Sequence, residues 1–296
     1  MATRVIDDTK LQNIAAAIQG KDSGGVMTVD EMPGRIAAIQ TGDEVLFSSK
    51  GRQYTRTVEI PNNVTTLADY AFSGCTGLTN ITFPDSLTTI NQGAFSNCTG
   101  LTNITFPDSL TTINQNAFGG CTGLTEIDLK NVTTFSSNLQ FQNCSSLRKV
   151  IGKKVTSTAN SFYNCPVLKT AILSNVSTIG QNTFLAAYGL ENVDCRNVDR
   201  IVQSAFGRCS QLSLIDLTSR ATPTTLDRID AFYNTNNTWI AVVANDTIKS
   251  DFQNATNWST FASHFRTIAE VEAEVGMTYD EYYYQLFGEP RNEVTP

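Results

Sequence analysis

The sequence predicts an α/β repeat solenoid, in which short strands stack into one sheet, and three observations carry that prediction. First, Ala71–Gly93 and Ala94–Asn116 are consecutive 23-residue blocks that differ only where Gly74 becomes Asn97 and Gly93 becomes Asn116. Second, phenylalanines recur at Phe72, Phe95, Phe118, Phe141, Phe162, Phe184, Phe206 and Phe232. A period in the range of about 20–50 residues marks a solenoid, a propeller or an array. Third, Ile81-Thr82-Phe83 and Ile104-Thr105-Phe106 alternate as a strand with one buried face does. Pro84 and Pro107 follow and close that strand, because proline cannot continue a ladder.

Other columns keep step with the phenylalanines. Leu78, Leu101, Leu124, Leu147, Leu168, Leu190 and Leu212 form one, and Ile81, Ile104, Ile127, Val150, Ala171, Val193 and Ile215 form the next. A later pair, Leu87/Ile90, recurs as Leu110/Ile113, Val176/Ile179 and Val198/Ile201. Each unit therefore reads as strand, bend, return segment and turn. Burying about six apolar side chains per coil yields roughly 10–18 kcal/mol. Ordering the same residues costs on the order of 33 kcal/mol, so a coil stands only against its neighbours.

Cysteines follow the phenylalanines by three residues at Cys75, Cys98, Cys121, Cys144, Cys165 and Cys209, while Cys195 stands in a strand-core column. Ala187 replaces the cysteine in the sixth unit, which fits a small buried hydrophobe. Disulfides between adjacent coils are also geometrically conceivable, and a metal or redox role is the third reading. No C-x2-C pair of the kind that zinc sites use is present. The only histidine, His264, is expected on the surface, with no nucleophile to serve. Neither an enzyme nor a cofactor is expected.

Lys and Arg total 21 against 28 Asp and Glu, a net charge of −7, and no basic patch stands out. That balance argues against nucleic acid as a partner. No apolar run reaches the roughly 18 residues of a membrane span, so no membrane insertion is expected. The opening MATRVIDDTKLQNIAAAIQG has no continuous hydrophobic region and does not read as a signal peptide.

The outward positions of each strand line up into one sheet surface. They are Asn80/Thr82, Asn103/Thr105, Glu126/Asp128, Lys149/Ile151, Thr170/Ile172, Asn192/Asp194 and Leu214/Asp216. The candidate ligand-binding residues are Asn80, Thr82, Asn103, Thr105, Glu126, Asp128, Lys149, Asn192, Asp194 and Asp216, a polar set suited to sugars or protein loops.

The pattern AFxxCxxLxxIxFPxSLTTI resembles the BspA-type leucine-rich repeats, a bacterial subclass of leucine-rich-repeat solenoids. The resemblance runs from about Val58 to Ile268 and implies a binding fold used for adhesion, recognition or scaffolding. It also implies that residues 239–268 close the solenoid as a last strand and a helical cap. There Ile248, Phe252, Ala255, Phe261 and Phe265 would cover the open end, with Trp258 nearby. The repeats proper would span residues 43–238.

A second resemblance lies in residues 1–42, whose LQNIAAAIQGKDSGGVMTVDEMPGRIAAI is similar to an N-terminal module of phage and prophage tail or baseplate proteins. It reads as a helical hairpin, with Leu11, Ile14 and Ile18 on one face and Thr28/Glu31 as a capping box. Leu11, Ile14, Ile18, Met32, Ile36 and Ile39 are candidate docking or oligomerisation residues. The tail, residues 269–296, is acidic and then aromatic. Its Tyr283 and Phe287 are candidates for packing on the cap or for contact with another subunit.

Two functions are expected from these readings. One is a non-enzymatic tail component that docks to tail, baseplate or other structural proteins through its hairpin and binds a host-surface glycan or protein, as part of a virion. The other is a bacterial cell-surface or secreted adhesin. Association between copies is compatible with both.

Overall fold

A computed structural model describes residues 57–60, 62–135 and 138–291. The expected hairpin, with Leu11, Ile14, Ile18, Met32, Ile36 and Ile39, lies outside them. The described residues form a parallel β-solenoid of about nine turns followed by helices.

Where one sheet was expected, the coils contribute strands to two parallel ladders. The first ladder holds β1 (Thr57–Glu59), β3 (Asn80–Thr82), β6 (Glu126–Asp128), β8 (Lys149–Ile151), β10 (Thr170–Ile172), β12 (Asn192–Asp194), β14 (Leu214–Asp216), β16 (Ile240–Val243) and β17 (Phe265–Thr267). From β6 to β17 it is one seven-stranded sheet, and β1 pairs with β3. The second ladder lies on the return segments, which the leucine/isoleucine pairs mark in the sequence. Its strands are β2 (Thr66–Leu67), β4 (Thr89–Ile90), β5 (Thr112–Ile113), β7 (Thr134–Phe135), β9 (Ser157–Thr158), β11 (Thr178–Ile179), β13 (Arg200–Ile201) and β15 (Thr225–Leu226). Register equals repeat length. Thr66 faces Thr89 and Thr89 faces Thr112, one 23-residue block on.

The duplicated Ile-x-Phe segments do not behave alike. Asn80–Thr82 is a strand, whereas its twin at 103–105 is not. The backbone bond that joins the coils there, Thr125 N–H to the Thr102 carbonyl, is long at 3.3 Å, against 2.7 Å one coil later from Arg148 to Thr125. The first ladder is interrupted at that point.

On the third side of each coil, tight turns stack the aromatic column. Phe72 through Phe232 follow one another with ring centroids 5.1–5.8 Å apart and near-parallel planes, and Phe232 then stacks on Trp239 at 4.6 Å. All of these rings are at most 4% exposed, in the offset arrangement that aromatic pairs favour.

These turns also explain the two differences between the duplicated blocks. Gly74, Asn97, Gly93 and Asn116 all have a positive φ, at 76°, 59°, 59° and 54°. From Tyr70 to Arg208 each of these turns places two residues, four apart, in the left-handed region, which glycine enters freely and asparagine more readily than other residues. The duplication drifted only where Gly and Asn are interchangeable. Gly93 has a further reason, since a Cβ there would come 2.5 Å from the Tyr70 ring.

The cysteine column is buried, and all seven thiols are free. Its members are bonded. Cys98 Sγ donates to the Phe72 carbonyl at 2.9 Å, Cys121 to Phe95 at 3.0 Å, Cys144 to Phe118 at 3.3 Å, Cys165 to Phe141 at 3.2 Å and Cys209 to Phe184 at 3.2 Å. The thiol is thus a small buried donor that ties each coil to the one before. Among the described residues no group of three or more His, Cys, Asp and Glu could hold a metal. No helix among them is long and apolar enough to cross a membrane.

After β16 the chain forms α1 (Asp246–Asn254), capped by Asn245, whose side chain accepts from Ile248 N–H at 3.1 Å. A 3-10 segment, Trp258–His264, and β17 follow. Phe252, Trp258 and Phe265 are fully buried against the last coil, with Ile248, Ala255 and Phe261 packed beside them. His264 corrects the surface assignment. It is half-buried, its ring stacks on Trp239 at 4.2 Å, and Nδ1 lies 2.7 Å from the Trp239 carbonyl.

Candidate functional site: the outer face of the first ladder

Two further helices decide how much of the predicted recognition face is free. α2 (Ile268–Val275) starts with a Thr267/Glu270 capping box, and α3 (Tyr279–Phe287) with a Thr278/Glu281 one. Each satisfies two orphan N–H groups reciprocally. Gly276 and Gly288, at φ 73° and 67°, end them. Tyr279, Tyr283 and Phe287 are spaced by four and therefore share one face of α3. That face is at most 2% exposed, packed with Val271 on Ile172, Leu214 and Val242 of the sheet.

The helix pair therefore lies on the outer face of the sheet. Tyr283 and Phe287, offered above as docking residues, are buried within their own chain. They pack on the sheet face rather than on the end cap. Ile151, Ile172 and Leu214, which stand where earlier coils have Thr or Asn, supply the apolar seat.

Three predicted ligand-binding residues are correspondingly not on the surface. Asn192 is 6% exposed and Asp194 and Asp216 are 0% exposed. The Asp194 carboxylate receives Arg196 Nε at 3.0 Å and Nη2 at 2.7 Å, Ser174 Oγ at 2.9 Å and the Tyr283 hydroxyl at 2.8 Å. Asp216 Oδ1 accepts from the Thr218 N–H at 2.9 Å and from its hydroxyl at 2.6 Å. Burial, and next the Asp194 carboxylate, push Asp216 up to about 6. Burial likewise raises Tyr279 and Tyr283, Asp216 and Asp194 adding to it respectively.

Asp128, Asp194 and Asp216 occupy one column, and each accepts from the backbone N–H two residues on, at Lys130, Arg196 and Thr218. This turn ends the strand in three coils that lack the Phe-Pro pair. The column thus has a structural duty that outward position alone did not reveal.

The remaining predicted residues stay outward. Asn80, Thr82, Asn103, Thr105, Glu126 and Asp128 are exposed, together with Glu59 on β1. Lys149 is half-buried at the border, where it lies 3.7 Å from Glu289 beyond α3, and Lys153 approaches the same carboxylate at 3.5 Å. The free site is a polar surface of hydroxyls, amides and carboxylates, bounded on one side by the helix pair. It offers hydrogen bonds and negative charge, with no activated nucleophile.

Comparison with known proteins agrees with the fold. A family model described as BspA type leucine rich repeat region matches residues 47–161 and 137–239, in six copies. No curated protein matches the chain. Among solved structures, a leucine-rich repeat protein from Bacteroides ovatus is 20% identical with a TM-score of 0.53, covering 75% of this chain and 70% of its own. The leucine-rich repeat protein of T. pallidum is 24% identical with a TM-score of 0.50, covering 63% of this chain and 87% of its own. These likenesses concern the fold.

Proposed function

The chain belongs to the BspA-type leucine-rich repeat family, and from that premise we propose that it is a non-enzymatic recognition module of a bacterial surface. It would bind a protein or glycan through the uncovered part of its first ladder. One observation carries the reading. The exposed rungs at Asn80/Thr82, Asn103/Thr105 and Glu126/Asp128 abut rungs that the same chain has sealed under its own helices. A solenoid that covers part of a sheet and leaves the rest polar has a bounded face. Apart from Asp128, which holds the turn at Lys130, the side chains there point away from the core. No catalytic family is matched, and the family is one of binding proteins. That supports the adhesin reading over a tail-docking role, whose residues 1–42 lie outside the described part.

The test is binding of the full chain to immobilised panels of bacterial and host-surface glycans and of extracellular-matrix proteins. Asn80→Arg/Asn103→Arg should weaken any interaction found by tenfold or more, while Thr88→Arg, exposed on the return segments, should leave it unchanged. Equal losses in both variants, or binding retained in the first, would place the ligand elsewhere.

A further inference from the structure

Asp194 and Asp216 stand side by side beneath the helix pair, as register partners on neighbouring parallel strands, and both are completely buried. Their treatment is unequal. Asp194 has both carboxylate oxygens hydrogen-bonded, by donors from Arg196, Ser174 and Tyr283. Asp216 has donors on Oδ1 only, and its Oδ2 is buried with no hydrogen-bond partner. Arg291 Nε stands 3.6 Å from that oxygen. The rest of its guanidinium is turned elsewhere, Nη1 to Asp280 at 3.0 Å and Nη2 to the Thr218 hydroxyl at 2.5 Å.

We propose that the helix pair is an acid-tightened clamp: one proton taken up by the Asp194–Asp216 pair strengthens its hold on the sheet, and loss of that proton toward neutral pH loosens it. Protonation turns the unpartnered Oδ2 from a buried anionic oxygen into an O–H donor. Asn192 Oδ1 and the Tyr279 hydroxyl are also buried and without hydrogen-bond partners.

Of the other charged groups facing the pair, Arg196 is held by Asp194 and donates Nη1 to the Arg291 carbonyl at 2.6 Å. Arg291 pairs with Asp280 through Nη1, and its buried Nε, without a hydrogen-bond partner, stands off Asp216 Oδ2 at 3.6 Å. At the border Lys149 and Lys153 pair with Glu289. Tyr279 and Tyr283 are raised above their ordinary range and stay neutral.

The sign follows from linkage. Asp216 rises from an ordinary 3.8 to about 6 in the closed form. The stabilisation from its proton is complete below the ordinary value and is lost as pH rises through about 6. The closed form should gain about tenfold in its equilibrium between pH 7.5 and pH 5.0.

The experiment is hydrogen exchange of the α3 amides in the full chain, corrected for intrinsic rates, at pH 7.5 and pH 5.0. The expected result is about tenfold less opening at pH 5.0. In Asp216→Asn, opening should be independent of pH and as low at pH 7.5 as in the wild type at pH 5.0. Amides of the coil from Phe118 to Phe141 report whether the variant keeps its solenoid. If it does not, the wild-type profile decides alone. Opening that does not change with pH in the wild type, or a tenfold change that persists in the Asn variant, would overturn the clamp.

Discussion

The Tyr283 hydroxyl donates to Asp194 Oδ2 at 2.8 Å, joining residues 89 positions apart in sequence, while Arg196 lies over the same tyrosine ring at 5.1 Å. This contact fixes the C-terminal helices to the middle of the sheet and so sets the border of the free face.

Removing each partner of that contact should have unequal effects. Tyr283→Phe deletes one of several donors to Asp194 and should cost about 1 kcal/mol. Asp194→Ala strands the buried Arg196 guanidinium and should cost about 3–5 kcal/mol. Chemical denaturation of both variants checks the order, which reverses if the tyrosine rather than the ion pair holds the interface.

The left-handed positions give a second contrast. Gly74→Ala meets open space at φ 76° and should cost about 1–2 kcal/mol from backbone strain alone. Gly93→Ala carries the same strain and also drives Cβ into Tyr70, so its loss should be larger. Asn97→Gly, which restores the residue of the preceding block, should stay within about 0.5 kcal/mol of wild type. Thermal denaturation of the three separates strain from steric overlap.

The thiol column should be chemically silent in the folded protein. Burial pushes Cys121 up to about 12, and it raises Cys98, Cys144, Cys195 and Cys209 in the same direction. A thiol reagent at pH 8 should label none of the seven until denaturant unfolds the coils. Cys121→Ala, which copies Ala187 of the sixth unit, should fold and lose about 1–2 kcal/mol through one missing bond and a small cavity.

The solenoid was legible because its determinants are local and repeated. A residue such as Phe118 needs only its equivalents one coil away, so period alone finds it. The cover was harder to read, since it joins α3 to strands formed some 90 residues earlier. Signals for it were nonetheless in the sequence. Ile151, Ile172 and Leu214 break the polar outward columns, Thr267/Glu270 and Thr278/Glu281 are two capping boxes, and Tyr279, Tyr283 and Phe287 recur every four residues. Taken singly, Asp194 and Asp216 read as surface acids. Only the apolar neighbours around them imply a lid. The thiol-to-carbonyl bonds had no sequence signature beyond the column itself.

Hydroxyl-radical footprinting of the folded full chain tests the cover most directly, because α3 carries its own reference in Tyr284, which is 59% exposed. The expected pattern is strong oxidation of Tyr284 with Tyr279, Tyr283 and Phe287 protected. Comparable oxidation of all four would mean that the helix stands free of the sheet, and that the proposed recognition face has no such border.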